Sequence, residues 1–155
     1  VGGVGILAGV VSDSTAYQCG DNGIAAATVT SCYGTTTANA RGIYTLTAVN
    51  CWGVSVSGNG VDATNASDCY GQSTSGSGLT AQTASNCYGS SSSGYGISAY
   101  MANNCSGVSS SRVGVDAFVA AFCLGSGGAG GIITTIAIGC SASGGTQASF
   151  TYLMP

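Results

Sequence analysis

The chain has 155 residues, of which 27 are glycine, 8 are cysteine and only 5% are charged, giving a net charge of −3. Two cations provide no electrostatic footprint for nucleic acid or for an anionic membrane surface. The absence of histidine excludes Ser-His-Asp and Cys-His catalytic arrangements and Cys-His zinc sites, and a hydrophobic content of 45% at low net charge opposes intrinsic disorder.

The predicted elements begin with an apolar N-terminal segment, residues 1–10, which carries no charged side chain. It is too short to span a bilayer, which takes about 20 apolar residues in a helix. We interpret it as a capping or assembly segment. Because position 1 is not methionine, we expect either a processed, exported protein or a fragment of a longer one.

Residues 11–140 contain an internal repeat that each cysteine marks once. Successive cysteines are separated by 13, 19, 18, 18, 18, 18 and 17 positions. A near-constant period indicates one structural unit per cysteine rather than a scattered disulfide framework. The cysteines are Cys19, Cys32, Cys51, Cys69, Cys87, Cys105, Cys123 and Cys140.

The repeat unit predicts short strands. Residues 51–68 read CWGVSVSGNGVDATNASD, and residues 69–86 read CYGQSTSGSGLTAQTASN. Helical repeats need about 33 residues, whereas alternation of Ser, Thr and Val between glycines is typical of strands. We therefore predict an all-β, single-domain parallel β-helix (β-solenoid) of about eight coils, with 18 residues per coil and a coil spacing of ~4.8 Å.

Equal positions of stacked coils form ladders in this prediction. A turn ladder precedes four of the cysteines with residues that tolerate a left-handed corner: Asn50, Asp68, Asn86 and Asn104. A core ladder combines the cysteines with the aliphatic residue eight positions before each one: Val11, Ile24, Ile43, Val61, Leu79, Ile97, Val115 and Ile132.

The motifs Asn-Cys-Tyr-Gly and Gly-x-Gly-aliphatic-x-Ala resemble the degenerate repeats of bacterial right-handed parallel β-helix proteins. This pectate-lyase-like group includes autotransporter passenger domains. The resemblance covers about residues 10–140 and implies a right-handed coil. Because the shared motifs are packing motifs, the resemblance indicates fold rather than activity.

Two states of the cysteine ladder fit the spacing. Neighbouring members would lie ~4.8 Å apart at Cα, which is within the range for a disulfide between adjacent coils. A buried cysteine also packs as a small apolar residue, and we favour a mostly reduced packing ladder. Since a one-dimensional stack offers no tetrahedral cage, we expect no metal site and no cofactor.

An aromatic column follows the cysteines and comprises Tyr33, Trp52, Tyr70 and Tyr88. If the cysteines point inward, this column points outward. Stacked aromatic rings stabilise a parallel sheet, and an exposed row of them also suits a carbohydrate or a partner subunit. Both interpretations stay open.

The carboxylates do not predict an enzyme. Asp62 and Asp116 share a ladder position but are 54 residues, or three coils, apart. That separation is ~14 Å at the strand spacing, which exceeds the ~5–9.5 Å between paired glycosidase carboxylates.

Solenoid antifreeze proteins resemble this chain in low charge, but its outward positions mix Val, Gln, Ser and Thr instead of repeating Thr.

The C-terminal segment, residues 141–155, is interpreted as a second capping or assembly segment, and no charged residue follows Asp116. Apolar, uncharged ends on a stackable rod predict a heterologous, end-to-end contact. We expect a secreted or cell-surface structural protein, without a membrane span, that assembles with itself into a filament or sheath. The alternatives are a cell-surface carbohydrate-binding or adhesive β-helix module and an ice-binding protein.

Overall fold

The computed structural model describes residues 2–143. These residues form sixteen β-strands joined by short turns. This part of the chain contains no helix that is long and apolar enough to cross a membrane. One sheet consists of β1 (Ile6–Ser12), β3 (Ile24–Thr30), β5 (Ile43–Val49), β7 (Val61–Ser67), β9 (Leu79–Ser85), β11 (Ile97–Asn103), β13 (Val113–Ala121) and β15 (Gly130–Ile138). The other consists of β2 (Thr15–Cys19), β4 (Tyr33–Thr36), β6 (Trp52–Ser55), β8 (Tyr70–Ser73), β10 (Tyr88–Ser91), β12 (Ser106–Ser109), β14 (Leu124–Gly127) and β16 (Ser141–Ser143).

The chain alternates between the two sheets, and every strand pairs in parallel with the equivalent strand of the next coil. The long-strand sheet has the order β1-β3-β5-β7-β9-β11-β13-β15, and the short-strand sheet follows the same order in the even-numbered strands. Equivalent residues such as Val61, Leu79 and Ile97 are paired neighbours separated by 18 positions. The predicted class, an all-β parallel β-solenoid of about eight coils, is therefore confirmed.

The core is narrow and is built from columns of equivalent small and aliphatic side chains. The aliphatic column occupies the first residue of the long strands β1 to β11 and the third residue of β13 and β15, and its members from Ile24 to Ile132 have no solvent-exposed surface. Five positions later an inward column, mostly alanine, faces the same interior, with Ala48, Ala84 and Ala120 fully buried. Seven of the eight predicted aliphatic positions lie in this column: Ile24, Ile43, Val61, Leu79, Ile97, Val115 and Ile132.

Two glycine columns bring the two sheets into close main-chain contact in the coils from Gly34 to Gly125. Gly89 in the short strand β10 faces Gly96, which precedes the long strand β11. A Cβ atom on Gly89 would fall on the carbonyl oxygen of Gly96 and near the side chain of Ile97. The glycines are thus required because the two main chains approach each other more closely than a side chain permits.

A buried serine column fastens this end of the coils together. The Ser91 hydroxyl donates to the carbonyl oxygen of Gly76 in the preceding coil at 2.6 Å and accepts from the Gly94 N–H at 2.8 Å. Since buried polar groups need partners, these paired bonds explain why a hydroxyl is retained inside the solenoid. Equivalent pairs of bonds are made by Ser55, Ser73 and Ser109.

The first coil departs from the prediction, because Cys19 does not belong to the cysteine column. Cys19 pairs with Thr36, in the register of the serine column, after an irregularity between Ala16 and Cys19. The place of the cysteine is taken by Ser14, whose carbonyl oxygen accepts from the Tyr33 N–H. Cysteine is small and weakly polar, so it fits the buried serine position as well as its own.

The predicted role of Val11 in the aliphatic column is corrected for the same reason. Ile6 pairs with Ile24, and Val11 pairs with Val29, which places Val11 in the column that alanine occupies elsewhere. The first coil is therefore a complete 18-residue turn from Ile6 to Ile24 rather than a shortened unit.

The ends of the solenoid also differ from the predicted boundaries. Strand β1 begins at Ile6, inside the segment 1–10 that was predicted to precede the coils. Strand β16 ends at Ser143, inside the predicted C-terminal segment 141–155. The remainder of that segment, residues 144–155, lies outside the described residues.

We expect Gly89→Ala to lower the free energy of unfolding by roughly 1–3 kcal/mol, because the added methyl group overpacks a main-chain contact. Thermal unfolding followed by circular dichroism measures the effect. Gly9→Ala is the matched control, since nothing lies within 4 Å of a Cβ atom built at Gly9. Equal stabilities of the two variants would show that the glycine columns are not in close contact.

Candidate functional site: a groove beside the aromatic column

A left-handed corner ends every long strand and turns the chain into the next short strand. Asn50, Asp68, Asn86 and Asn104 have φ values of 51°, 54°, 53° and 50°. Asparagine and aspartate reach this conformation at lower cost than other side chains, which accounts for the predicted turn ladder. The corner column in the described residues is Asp13, Ser31, Asn50, Asp68, Asn86, Asn104, Phe122 and Gly139.

The corner side chains bond from coil to coil in one direction. The Asn104 amide donates to Oδ1 of Asn86 at 2.9 Å, and the Asn86 amide donates to Oδ1 of Asp68 at 3.2 Å. A separate bond runs from the Asn50 amide to the Ser31 hydroxyl at 3.3 Å. Because an ionised carboxylate only accepts hydrogen bonds, Asp68 ends the run and cannot donate to Asn50.

The predicted aromatic column lies on the outer side of the short-strand sheet, at the first position of successive strands. Ring centroids are 5.3 Å apart between Tyr33 and Trp52, 5.0 Å between Trp52 and Tyr70, and 4.9 Å between Tyr70 and Tyr88. Tyr70 and Tyr88 stack face to face at an interplanar angle of 15°. Trp52 is turned by 66° from Tyr70 and is 47% exposed, so it contributes the largest accessible aromatic surface of the column.

These two columns are the walls of a shallow groove of about 660 Å³, which we call the corner groove. Its floor is the stretch of chain that carries Cys32, Cys51 and Cys69, since each of these cysteines separates a corner residue from an aromatic residue. Burial, followed by repulsion from Tyr88, raises the pKa of the Tyr70 phenol above that of an ordinary tyrosine. The walls are Asp13, Ser31, Asn50, Asp68 and Asn86 on one side and Thr15, Tyr33, Trp52, Tyr70 and Tyr88 on the other.

All eight cysteines have free thiols, and all except the half-buried Cys140 are buried. Cys32, Cys51 and Cys69 lie beneath the groove. The Cys87 thiol lies 3.2 Å from the carbonyl oxygen of Ser85 and 3.5 Å from that of Ala66, in the manner of a weak donor. Sequence spacing alone left a reduced and a bridged ladder open. The structure has the reduced form.

Hydrogen bonds between neighbouring thiols perturb the column in an alternating pattern. A hydrogen bond with Cys69 lowers the pKa of Cys51, and hydrogen bonds with Cys105 and Cys69 lower the pKa of Cys87. The same bonds to Cys51 and Cys87, together with burial, raise the pKa of Cys69. Burial keeps all three of these thiols away from solvent reagents.

The carboxylates outside the groove do not converge. Asp62 and Asp116 occupy one column of the long-strand sheet, with Thr80 and Ser98 between them. Asp62 accepts a hydrogen bond from Arg41 Nε at 2.7 Å. Burial raises the pKa of Asp116, which has no second carboxylate in an adjacent coil.

The outward positions of the short strands form a mixed column. Val54 pairs with Gln72 in the next coil, and Ser90 pairs with Val108. Thr35 precedes them but is buried, and its hydroxyl accepts from the Gln18 N–H at 2.8 Å. These positions therefore present no regular threonine row.

Sequence reasoning missed two parts of this region. Asp13 and Ser31 extend the corner column, although neither precedes a cysteine flanked by the full consensus motif. Each of them directly precedes the residue at the cysteine position of its coil, Ser14 or Cys32, as the predicted turn residues do, and this position was the available signal. The buried serine column was also missed, because serine in an alternating strand is read as solvent-facing.

Searches against protein-family models, curated proteins and solved structures found no match to this chain. The observed fold accordingly rests on the strand topology, and the candidate site rests on its own geometry.

We expect Phe122→Asn to raise the free energy of unfolding by about 1 kcal/mol, because asparagine relieves the left-handed strain of an aromatic residue and continues the amide run to Asn104. Thermal unfolding is the measurement. Phe122→Ala separates the causes, since it removes the ring but keeps an unfavourable left-handed residue. If alanine stabilises the protein as much as asparagine does, the exposed ring and not the corner conformation is responsible.

We expect N-ethylmaleimide to label Cys140 in the folded protein and to leave the seven buried cysteines unlabelled on the same timescale. The reagent needs an accessible thiolate, and burial denies access. Intact-mass spectrometry counts the labels, and a denatured sample should take up eight. Fewer than eight labels after denaturation without reductant would reveal disulfides and contradict the reduced column.

Proposed function

We propose that this chain is a structural β-solenoid that associates with further copies of itself into a filament or sheath. The supporting observation is the outer surface of residues 2–143, where fourteen large hydrophobic side chains are exposed. The whole sequence has only seven charged residues, five acidic and two basic. A surface with so few charges promotes association, because little charge repulsion keeps copies apart.

A compact apolar feature lies on the outer face of the long-strand sheet. Tyr100 and Phe118 stack with centroids 5.1 Å apart and an interplanar angle of 7°, and they are 58% and 44% exposed. Met101 beside them is 47% exposed. We call these three residues the outer apolar patch. We propose that this patch packs against a second copy of the chain.

Strand edges offer a second route of association. Within residues 2–143, β1 and β15 bound the long-strand sheet, and β2 and β16 bound the short-strand sheet. A second copy placed end to end would continue both sheets in the same parallel register. In a longer protein, additional coils of the same chain would occupy these edges, and the outer apolar patch would still face outward.

The proposal includes a secreted or cell-surface location and a non-enzymatic role. A location outside the cell agrees with the resemblance to pectate-lyase-like and autotransporter-passenger repeats. The separation of Asp62 from Asp116 by two intervening coils supports a role without acid–base chemistry. Fractionation of the native source would test the location.

The double variant Tyr100→Ser/Phe118→Ser tests association through the outer apolar patch. We expect it to raise the protein concentration for half-maximal assembly about tenfold or more, since each lost contact of this type is worth ~1 kcal/mol or more. Sedimentation velocity and electron microscopy measure the size and shape of the assemblies.

Gln82→Ser is the matched control, because Gln82 is exposed at the equivalent position of the neighbouring strand β9 and is polar already. It should assemble like the unmodified protein. A chain that stays monomeric at all concentrations would refute the proposal. Assembly that is unaffected by the double variant would exclude the patch, and filaments one solenoid wide would then indicate edge-to-edge growth.

A further inference from the structure

We propose that the corner groove binds a neutral, linear 1,4-linked glycan that lies along the solenoid axis with one sugar residue per coil. The inference does not depend on self-association, since the groove borders the short-strand sheet and the outer apolar patch lies on the long-strand sheet. It commits the groove to one ligand class, a polysaccharide of extended pyranose residues.

The repeat distance of the groove is the first argument. The aromatic rings of Tyr33, Trp52, Tyr70 and Tyr88 follow one another at 5.3, 5.0 and 4.9 Å, close to the ~4.8 Å spacing of parallel strands. One pyranose residue of an extended 1,4-linked chain advances by nearly the same length. Successive sugars would therefore keep step with successive coils, with neighbouring residues of the glycan rotated about its chain axis.

The same spacing argues against a peptide. Side chains on one face of an extended peptide recur every ~6.6–6.8 Å, so a peptide along this groove would lose register after two coils.

Nucleic acid is disfavoured by charge. Its phosphates require cations, whereas the groove walls contain Asp13 and Asp68 and neither arginine of the chain.

The chemistry of the two walls is the second argument. A pyranose ring has an apolar C–H face and a rim of hydroxyl groups. The exposed Trp52 ring offers an apolar platform for the face, as aromatic rings do where one side of a ligand is apolar and the other polar. On the opposite wall, amide and carboxylate oxygens of Asn50, Asp68 and Asn86 can accept hydrogen bonds from the hydroxyl rim.

The corner hydrogen bonds leave acceptors for this purpose. The run from Asn104 through Asn86 uses only Oδ1 of Asp68, so Oδ2 of the carboxylate can take a sugar hydroxyl. A charged acceptor makes a stronger hydrogen bond than a neutral one. Because Asp13 and Asp68 repel anions, the ligand is a neutral glycan rather than a polyuronate.

Trp52 makes the test direct, because it is the single tryptophan of the sequence. Its fluorescence should change on titration with cellohexaose, xylohexaose or chitohexaose, and the affinity should increase with chain length up to about five residues, the number of coils that line the groove. Polygalacturonate is the charged comparison and should bind weakly. Isothermal titration calorimetry provides the readout for variants that lack the fluorophore.

We expect Trp52→Ala to weaken binding by about tenfold or more, as for an aromatic anchor. Trp52→Tyr restores the residue type of the neighbouring coils, so it should fold normally and keep part of the affinity. Asp68→Asn preserves shape and should weaken binding about threefold by removing a charged acceptor. Tyr100→Ala, at an exposed aromatic residue of the other sheet, is the matched control and should bind unchanged.

The absence of a response to every neutral hexasaccharide at millimolar concentration would overturn the inference. So would an equal loss in Trp52→Ala and Tyr100→Ala, or polygalacturonate binding as tight as that of the neutral glycans. Titrations of the Tyr100→Ser/Phe118→Ser variant repeat the test without the outer apolar patch. Loss of glycan binding and loss of assembly are therefore separately observable.

Discussion

The structure depends on parallel main-chain hydrogen bonding between coils in fixed register. Each coil donates in both directions, as the Leu79 N–H does to Gly96 O at 3.0 Å and the Tyr88 N–H does to Cys69 O at 2.9 Å. Fixed register turns each position of the coil into a column of neighbours about one strand spacing apart. Each residue therefore contacts the residues at the same position in the coils above and below. The interior accepts only side chains that pack against copies of similar size at that position.

This constraint links the core to the candidate site. The inward cysteine, the corner residue before it and the aromatic residue after it are consecutive in sequence and face different environments. Stacking repeats that triplet in the coils from Tyr33 to Tyr88, which converts three consecutive residues into a buried thiol column and two parallel walls. The corner groove thus follows from the same register that builds the core, and its repeat distance is that of the sheet. The outer apolar patch arises separately, because outward positions of the long strands vary from coil to coil.

The sequence predicts the structure well only where the repeat is regular. Between Cys32 and Cys123 the period predicted the coil, the aliphatic column and the corner ladder, because each of these repeats at nearly constant spacing. Cys19 was assigned to the wrong column, since counting cysteines assumes that a residue type has only one suitable position. The serine column escaped notice because polarity predicts exposure, whereas its hydroxyls are satisfied by main-chain groups inside the solenoid.

The sequence by itself determined that the chain is an all-β solenoid with about 18 residues per coil, because periodicity and strand alternation are properties of the order of residues. Tertiary structure alone decided the register of the first coil against the second and the free state of the thiols. It also decided that Trp52 and its neighbours lie across the corner groove from Asp68. Those features depend on which backbone atoms approach which, as at the glycine columns. Such distances are set only when all coils have stacked.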